Sequence, residues 1–315
     1  MESKRAQEIT RPRVHAIVVN WNGAALLSPC LAALLAQEGA FDLHVVVVDN
    51  GSTDNSPELL ARDFRDVVET ISLEENIGYG RANNVALERA LGSGAEFALL
   101  VNNDVELAPG YLATLLDAAR AQPQAALLTG TLLFRERHEG VESVNSTGLT
   151  IDWFGRARDR DFLVPLSVLQ RADGVVDGVS GGAALLRCSL LARFGLFDPD
   201  YFAYYEDVDL SLRARAAGYL CWYARAATAH HRFGATFKAG SAQQRYLLGR
   251  NHLRTAARHL PELRAAAVVA GTALYRVGVK APRELVRGRF DLAAAELRAT
   301  GGGLLAAARA WRLRR

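Results

Sequence analysis

Four runs, three of them mostly apolar at residues 14–20, 43–48 and 97–101 and one strand-like at 67–73, each stop on a polar or glycine-rich loop, and sequence of helical spacing separates one run from the next. A short continuous apolar run is what a strand buried on both faces requires, and parallel sheets bury both faces. Alternating strand and helix signals over about a hundred residues specify a doubly wound α/β domain with a mostly parallel sheet. Every polar loop here follows a strand. The loops therefore gather at one edge of the sheet and form a crevice of nucleotide size.

The loops differ in chemistry. The first run ends in Asn20-Trp21-Asn22-Gly23, and the helix after it buries Leu26, Leu27, Cys30, Leu31, Leu34 and Leu35 on one face before Gly39. The valine-rich second run enters Asp49-Asn50-Gly51-Ser52-Thr53-Asp54-Asn55-Ser56, after which Pro57 begins a helix with Leu59, Leu60 and Phe64 inward. The third enters Asn76-Ile77-Gly78-Tyr79-Gly80 and a helix over 81–91. The fourth stops on Asn102-Asn103-Asp104. Such residues are ordinary in turns, but a carboxylate with two amides at a strand's carboxyl end can also hold a hard divalent cation and phosphate oxygens.

Farther along, 111–121 reads as helix and 125–134 as strand, while 135–164 is long, charged and aromatic, with Trp153 and Phe154. A segment of that length is expected to be a substrate-facing flap or a surface loop. Ser180-Gly181-Gly182-Ala183-Ala184 permits close approach of backbone to a ligand. Residues 194–205 carry six aromatics, a surface suited to stacking on a sugar, and run into Glu206-Asp207-Val208-Asp209 and a helix ending near Gly218. Asp209 and Arg213 are spaced for an ion pair. Asp207 can serve as a helix cap or, beside that aromatic surface, as a general base. His230 and His231, beyond an apolar strand at 219–223, can supply an imidazole ligand.

The C-terminal region changes character. From Arg250 to Arg315 there are 14 Lys and Arg against 4 Asp and Glu, leaving 23 against 30 elsewhere, so a basic tail sits on an acidic body. Residues 244–260, 265–279 and 292–313 read as helices, the last two alanine-rich and dotted with arginine. They suit an in-plane helix on an anionic membrane surface, a bundle packed on the sheet domain, or a dimer interface. The apolar run 265–275 is too short to span a bilayer, and the charged start of the chain lacks the apolar core of a signal peptide. Three scattered cysteines indicate neither a disulfide framework nor a zinc site, and fit a reducing compartment.

In order and spacing, the Asp49–Asp54 loop, the Asn76–Gly80 loop, Asn102-Asn103-Asp104, Phe197-Asp198 through Leu210, and His231 resemble the motifs of family 2 glycosyltransferases of the GT-A fold, most of all the bacterial rhamnosyltransferase-like branch. The resemblance covers roughly 14–251. It implies a Rossmann-like GT-A α/β catalytic domain over 13–240, after a polar lead at 1–12, with a helical basic extension at 241–315. It implies that Asn20, Asp49, Arg81 and Asn102 bind the donor nucleotide, that Asp104 and His231 hold Mg²⁺ or Mn²⁺, and that Asp207 is the catalytic base. His230 competes with His231 for that place. The chain has Asn-Asn-Asp where many relatives have two or three aspartates, so its metal is expected to lean on the diphosphate.

The activity implied is inverting transfer of rhamnose or a similar sugar from a dTDP- or UDP-sugar to a glycan or lipid-linked acceptor in cell-envelope polysaccharide synthesis. The enzyme would be cytoplasmic, peripheral at the inner face of the membrane, with no nucleic-acid partner. A sugar nucleotidyltransferase is the rival enzyme, but Asn20-Trp21-Asn22-Gly23 is not the basic glycine-rich loop a triphosphate calls for. A non-catalytic carbohydrate- or nucleotide-binding scaffold is the other alternative.

Overall fold

In the computed structural model residues 11–234 and 240–313 are described. Most of the polar lead, residues 235–239 and the final two arginines lie outside that range. Four strands, β1 (Arg13–Asn20), β2 (Asp42–Asn50), β3 (Glu69–Leu73) and β4 (Phe97–Asn102), form the parallel half of the sheet in the order β3-β2-β1-β4. Between them run α1 (Ala24–Leu35), the single turn α2 (Ser56–Leu59), which continues as a wider turn to Phe64, and α3 (Tyr79–Gly92). Register pairs Asn20 with Asp49 and Val19 with Asn102, so the polar strand ends share one edge as the alternation predicts.

The second half departs from simple alternation. After β5 (Val105–Leu107) and α4 (Tyr111–Ala121), the long strand β6 (Ala125–Phe134) is followed by β7 (Val144–Ser146) and the hairpin β8 (Leu149–Ile151) with β9 (Ala157–Asp159). The segment expected as an irregular flap is thus partly strand. Then come β10 (Gly174–Val176), β11 (Ala183–Arg187), α5 (Cys188–Phe194), α6 (Glu206–Ala216) and β12 (Leu220–His231). β11 lies antiparallel between β4 and β6, and β12 runs parallel to β6 on its far side. β12 is longer than the apolar strand expected at 219–223, because after a register shift between Tyr223 and Thr228 it resumes and takes in both histidines.

Alternation along β1 and β2 fixes two cores. Val14, Ala16, Val18, Val45 and Val47 face α1 and α4, while Ile17, Val46 and Val48 face α3 and α6. Valine suits these positions, since β-branched side chains pack well on a pleated surface.

Beyond the sheet, α7 (Ala242–His259), α8 (Glu262–Tyr275), α9 (Ala281–Val286) and α10 (Phe290–Arg312) form a bundle. Small residues let α7 and α10 approach closely: a Cβ on Gly303 would lie 2.6 Å from a Leu253 methyl, and one on Gly249 2.8 Å from Ala299 Cβ. Among the described residues no helix is long and apolar enough to cross a membrane.

The bundle is joined to the sheet domain by buried charge. Asp209 on α6 takes Arg213 at 2.8 Å, His259 at 2.8 Å and Arg258 at 3.1 Å, and Asp198 takes Arg254 at 2.6 Å as well as Arg258. Burial works to raise the Asp209 pKa, but the hydrogen bond from His259 and the nearby arginines outweigh it and hold the carboxyl below its ordinary value. Breaking a buried ion pair from one side leaves the other charges uncompensated, at a cost of about 3 kcal/mol. Asp209→Asn should therefore lower the urea midpoint by about that free energy at neutral pH. A depressed carboxylate contributes fully above its unfolded pKa and loses that contribution as pH falls through the folded one, so the variant should lose stability less steeply in acid. An unchanged midpoint and acid slope would contradict this role.

Candidate active site

The polar strand ends do not all meet the cavity they border. Asn20 is fully buried: its amide donates to Asp49 Oδ1 at 3.1 Å and its carbonyl accepts from Asn103 at 2.8 Å. Asp49 also accepts from the Ser52 amide, and the Asn22 carbonyl oxygen receives Thr53 N at 2.7 Å. This network ties the first two loops together behind the cavity wall. The side chains that line the cavity on this side are Trp21, Asn50, Asn76 and Asn102. Arg81 is exposed, bonds the Pro199 carbonyl at 3.0 Å, and is also outside the cavity lining. Asn20 and Asp49 thus lie behind the cavity lining and Arg81 beside it. Asn102 lines the cavity, with a buried Oδ1 that has no hydrogen-bond partner.

Strand pairing brings Asp104 and His231 together. Asp104 immediately precedes β5, which pairs antiparallel with the end of β12 and sets Val105 opposite His231. The Arg232 amide then donates to the Asp104 carbonyl at 2.8 Å. His231 Nε2 lies 3.2 Å from Asp104 Oδ1, while its Nδ1 is 2.8 Å from Asn145 Oδ1. Asn145 Oδ1 can only accept, so Nδ1 donates to it and Nε2 is the nitrogen that faces the carboxylate. Asp104 Oδ1 is buried with no hydrogen-bond partner. A buried carboxylate oxygen and an imidazole nitrogen 3.2 Å apart, the ring held from its other side, fit a divalent cation. Among the described residues no third His, Cys, Asp or Glu joins them, so further ligands would be donor oxygens or water. His230 points the other way on the strand, with Nε2 3.5 Å from Glu142.

Across the cavity, Asp207 begins α6. Its Oδ2 accepts from the Gly181 amide at 2.9 Å and its Oδ1 from the Val208 amide at 2.8 Å. A Cβ on Gly181 would sit 3.4 Å from Oδ2, an ordinary van der Waals contact, so the stretch 180–184 passes directly beside this carboxylate. Burial raises the Asp207 pKa against those two hydrogen bonds. Glu206 is raised by burial and then by the Asp207 charge, and the pair favours one negative charge over two.

The approach to α6 is strained. Tyr204 and Tyr205 have φ of 67° and 73°, left-handed values unusual for residues with a Cβ. Asn251 on α7 is fully buried and donates to the Ala203 carbonyl at 2.8 Å and the Tyr204 carbonyl at 2.7 Å. Those bonds hold the turn that aims Glu206 and Asp207. Gly78 serves the same region from the third loop: at φ 90° it lies where a Cβ would come within 2.6 Å of the Phe202 carbonyl, the acceptor for Tyr79 N at 2.7 Å.

Two site residues escaped the sequence reading. Asn145 fixes the histidine, and Asp159 lines the cavity with a pKa pushed to about 6 by burial, a Ser146 hydrogen bond opposing. Both lie in strands of three residues inside 135–164, too short to give a periodic signal.

A model of Glycosyl transferase family 2 matches residues 15–191. An N-acetylglucosaminyl-diphospho-decaprenol L-rhamnosyltransferase of Mycobacterium tuberculosis is 30% identical over 242 residues, 70% of this chain and 76% of that protein. The fold is shared with a mannosyltransferase of Pyrobaculum calidifontis solved with GDP-Man and Mn²⁺, at TM-score 0.57 and 20% identity over 93% of this chain and 87% of the other. It is shared also with GalNAc-T7 solved with UDP, GalNAc and Mn²⁺, at TM-score 0.65 and 12% identity over 86% of this chain, which spans 51% of that one.

If Asn251 holds the strained turn, Asn251→Ala should cost about 2 kcal/mol in urea unfolding, two net hydrogen bonds' worth. It should also lower turnover while nucleotide affinity is kept. Turnover kept with nucleotide affinity lost would place Asn251 elsewhere in the workings of the site.

Proposed function

The chain belongs to glycosyl transferase family 2 and is a glycosyltransferase; from that premise we propose that it transfers rhamnose or a similar sugar, with inversion, from a dTDP- or UDP-sugar to a hydroxyl of a glycan or lipid-linked acceptor in cell-envelope polysaccharide synthesis. The observation that carries this reading is that Asp207 and the Asp104–His231 pair line one cavity of about 330 Å³. A base and a cation site on one cleft are what a single displacement on a nucleotide sugar needs. The name of the mycobacterial relative supports a rhamnosyl donor and a lipid-linked acceptor.

In this reading the nucleotide lies against Trp21, Asn50, Asn76 and Asn102, with Asn102 Oδ1 free to accept a ribose hydroxyl. Asn20 and Asp49 hold the loops that carry those contacts. Asp207 takes the proton of the acceptor hydroxyl as that oxygen bonds to the anomeric carbon and the bond to the diphosphate breaks. Two backbone amides keep its carboxylate in place, and its raised pKa makes it a stronger base than an exposed aspartate. Asp104 and His231 would hold Mg²⁺ or Mn²⁺, which supplies charge neutralisation for the departing diphosphate. The solved neighbours with Mn²⁺ support a divalent ion.

We assign 13–240 to catalysis and 241–315 to a helical extension that meets the inner face of the cytoplasmic membrane. Glu284 and Glu296 are buried among Arg245, Arg276 and Arg289, so two of the region's four acids are turned inward. Val286 and Phe290 stand exposed beside Arg283, Arg287 and Arg289. Apolar and cationic side chains side by side suit an anionic headgroup layer.

Thermal shifts with dTDP and UDP compounds should be larger with Mn²⁺ or Mg²⁺ than without, because a ligand of the native state alone raises stability. Asp104→Asn and His231→Ala should erase that metal dependence. Asp207→Asn should keep the nucleotide shift and lower transfer by a factor on the order of 10² or more. No shift with any nucleotide, or transfer surviving in Asp207→Asn, would overturn the proposal. In the wild type, transfer should fall with acidification along a limb set above the ordinary aspartate range, since the raised group must be ionised to act. A limb at the ordinary value would remove Asp207 from that role.

A further inference from the structure

Apart from the catalytic cleft, a cavity of about 590 Å³ opens between the tip of the β8–β9 hairpin and α8. Trp153, Phe154 and Tyr275 stand at it with 57%, 47% and 50% exposure. Arg156, Arg276 and Lys280 supply the charge in its lining. The reaction proposed above uses none of these residues.

Its charges are poorly balanced. Arg276 is buried and bonds Glu296 at 2.6 Å, but its Nε has no hydrogen-bond partner. The same Glu296 carboxylate lies 3.9 Å from Lys280 and 3.4 Å from Arg245, which is nearer Glu284 at 3.1 Å, so Arg276 and Lys280 both lean on Glu296. Burial lowers the Lys280 pKa, with Glu296 opposing, so the ammonium is short of compensation. Arg156 is paired with Asp152 at 2.7 Å. Arg264 stacks over Trp153 at 5.3 Å and its Nε also lacks a partner. A buried guanidinium with an open donor and a half-compensated ammonium, walled by exposed rings, suit an anion attached to an apolar body.

The cavity also shares a wall with the cleft. Leu149, Ala157 and Asp159, on the strands of the hairpin, line the cleft, and Trp153, Phe154 and Arg156, in its turn, line the second cavity. His252 on α7 accompanies the turn, its Nε2 2.9 Å from the Phe154 carbonyl and its ring 6.1 Å from that of Tyr205, which lines the cleft.

We propose that this cavity binds the phosphorylated end of a lipid acceptor, with phosphate oxygens at Arg276 and Lys280 and the start of the chain against Trp153, Phe154 and Tyr275. The sugar to be extended then reaches Asp207 across the shared wall. The assignment rests on the lipid-linked acceptor proposed above and adds where that acceptor is gripped.

Calorimetric titration of the full chain with farnesyl diphosphate, inorganic pyrophosphate and farnesol tests it. Farnesyl diphosphate should bind, and pyrophosphate and farnesol should each bind at least about tenfold more weakly, each lacking one half of the contacts. Lys280→Gln, at a half-buried position, and Trp153→Ala, at an exposed one, should each weaken farnesyl diphosphate by about tenfold, the worth of one charge-assisted contact or one lost ring. The nucleotide thermal shift in both should stay that of the wild type, reporting an intact fold and donor site. Pyrophosphate binding as tightly would make this a plain anion site, farnesol binding as tightly a plain apolar groove, and unaffected variants would remove the cavity from acceptor binding; each overturns the proposal. Should both variants transfer sugar to a lipid acceptor with unchanged KM, the grip fails while the transferase reading stands. Should farnesyl diphosphate bind as expected while no nucleotide gives a shift, the cavity stands and the transferase reading fails.

Discussion

The acids of the sheet domain and the cations of one helix hold this molecule in its working shape. Asp198 and Asp209 lie on either side of the aromatic segment that leads into α6, and Arg254, Arg258 and His259 of α7 reach both. A turn earlier on the same helix, Asn251 bonds the two carbonyls of the left-handed turn between them. Burying so many charges is costly unless each is paired, and here the pairing is nearly complete. The arrangement makes α7 part of the catalytic architecture as well as the first helix of the C-terminal bundle. The boundary expected between 240 and 241 therefore separates regions of different composition that share one buried network.

The Asp104–His231 pair depends on a different constraint, the ladder between β5 and β12. Asp104 and His231 are far apart in sequence, and neither residue's neighbours announce the other. Antiparallel pairing of Val105 with His231 fixes their approach, because a one-residue slip would turn His230 inward in place of His231. Asn145, from β7, then sets the ring by taking the Nδ1 proton. Three strands that are each short or late in the chain thus define the position of two side chains.

This explains which parts of the molecule could be read from sequence. The parallel half was legible because β1, β2 and β4 are largely apolar on both faces and its helices periodic, so local pattern and final environment agree. Asp104, Asp207, Asn102 and His231 were marked by type and order, and the cavity gathers them. Asn20 and Asp49 carry the right chemistry for a ligand, but their short side chains satisfy one another across paired strands, which register alone reveals. Arg81 sits on the outward side of α3, a matter of helical phase at its first turn. Residues 135–164 hid Asn145, Asp159 and the hairpin because strands of three residues draw their stability from non-local pairing rather than from any periodicity of their own.

The charge count in the cleft has a consequence for the order of events in the proposed reaction. Where a site offers two or three aspartates, a divalent cation can bind ahead of its substrate. Here Asn102 and Asn103 are neutral, burial raises Asp207, Glu206 and Asp159, and Asp104 with one imidazole is left to attract the ion. Two protein ligands leave most of a coordination sphere to be filled, and a diphosphate is the strongest source of oxygen ligands in a nucleotide sugar. Ion and donor then reinforce one another: each raises the affinity for the other by the same factor, as linkage requires. Replacing carboxylates with amides at the strand end makes the cation site conditional on the donor. The same substitution keeps excess negative charge away from the diphosphate that must leave.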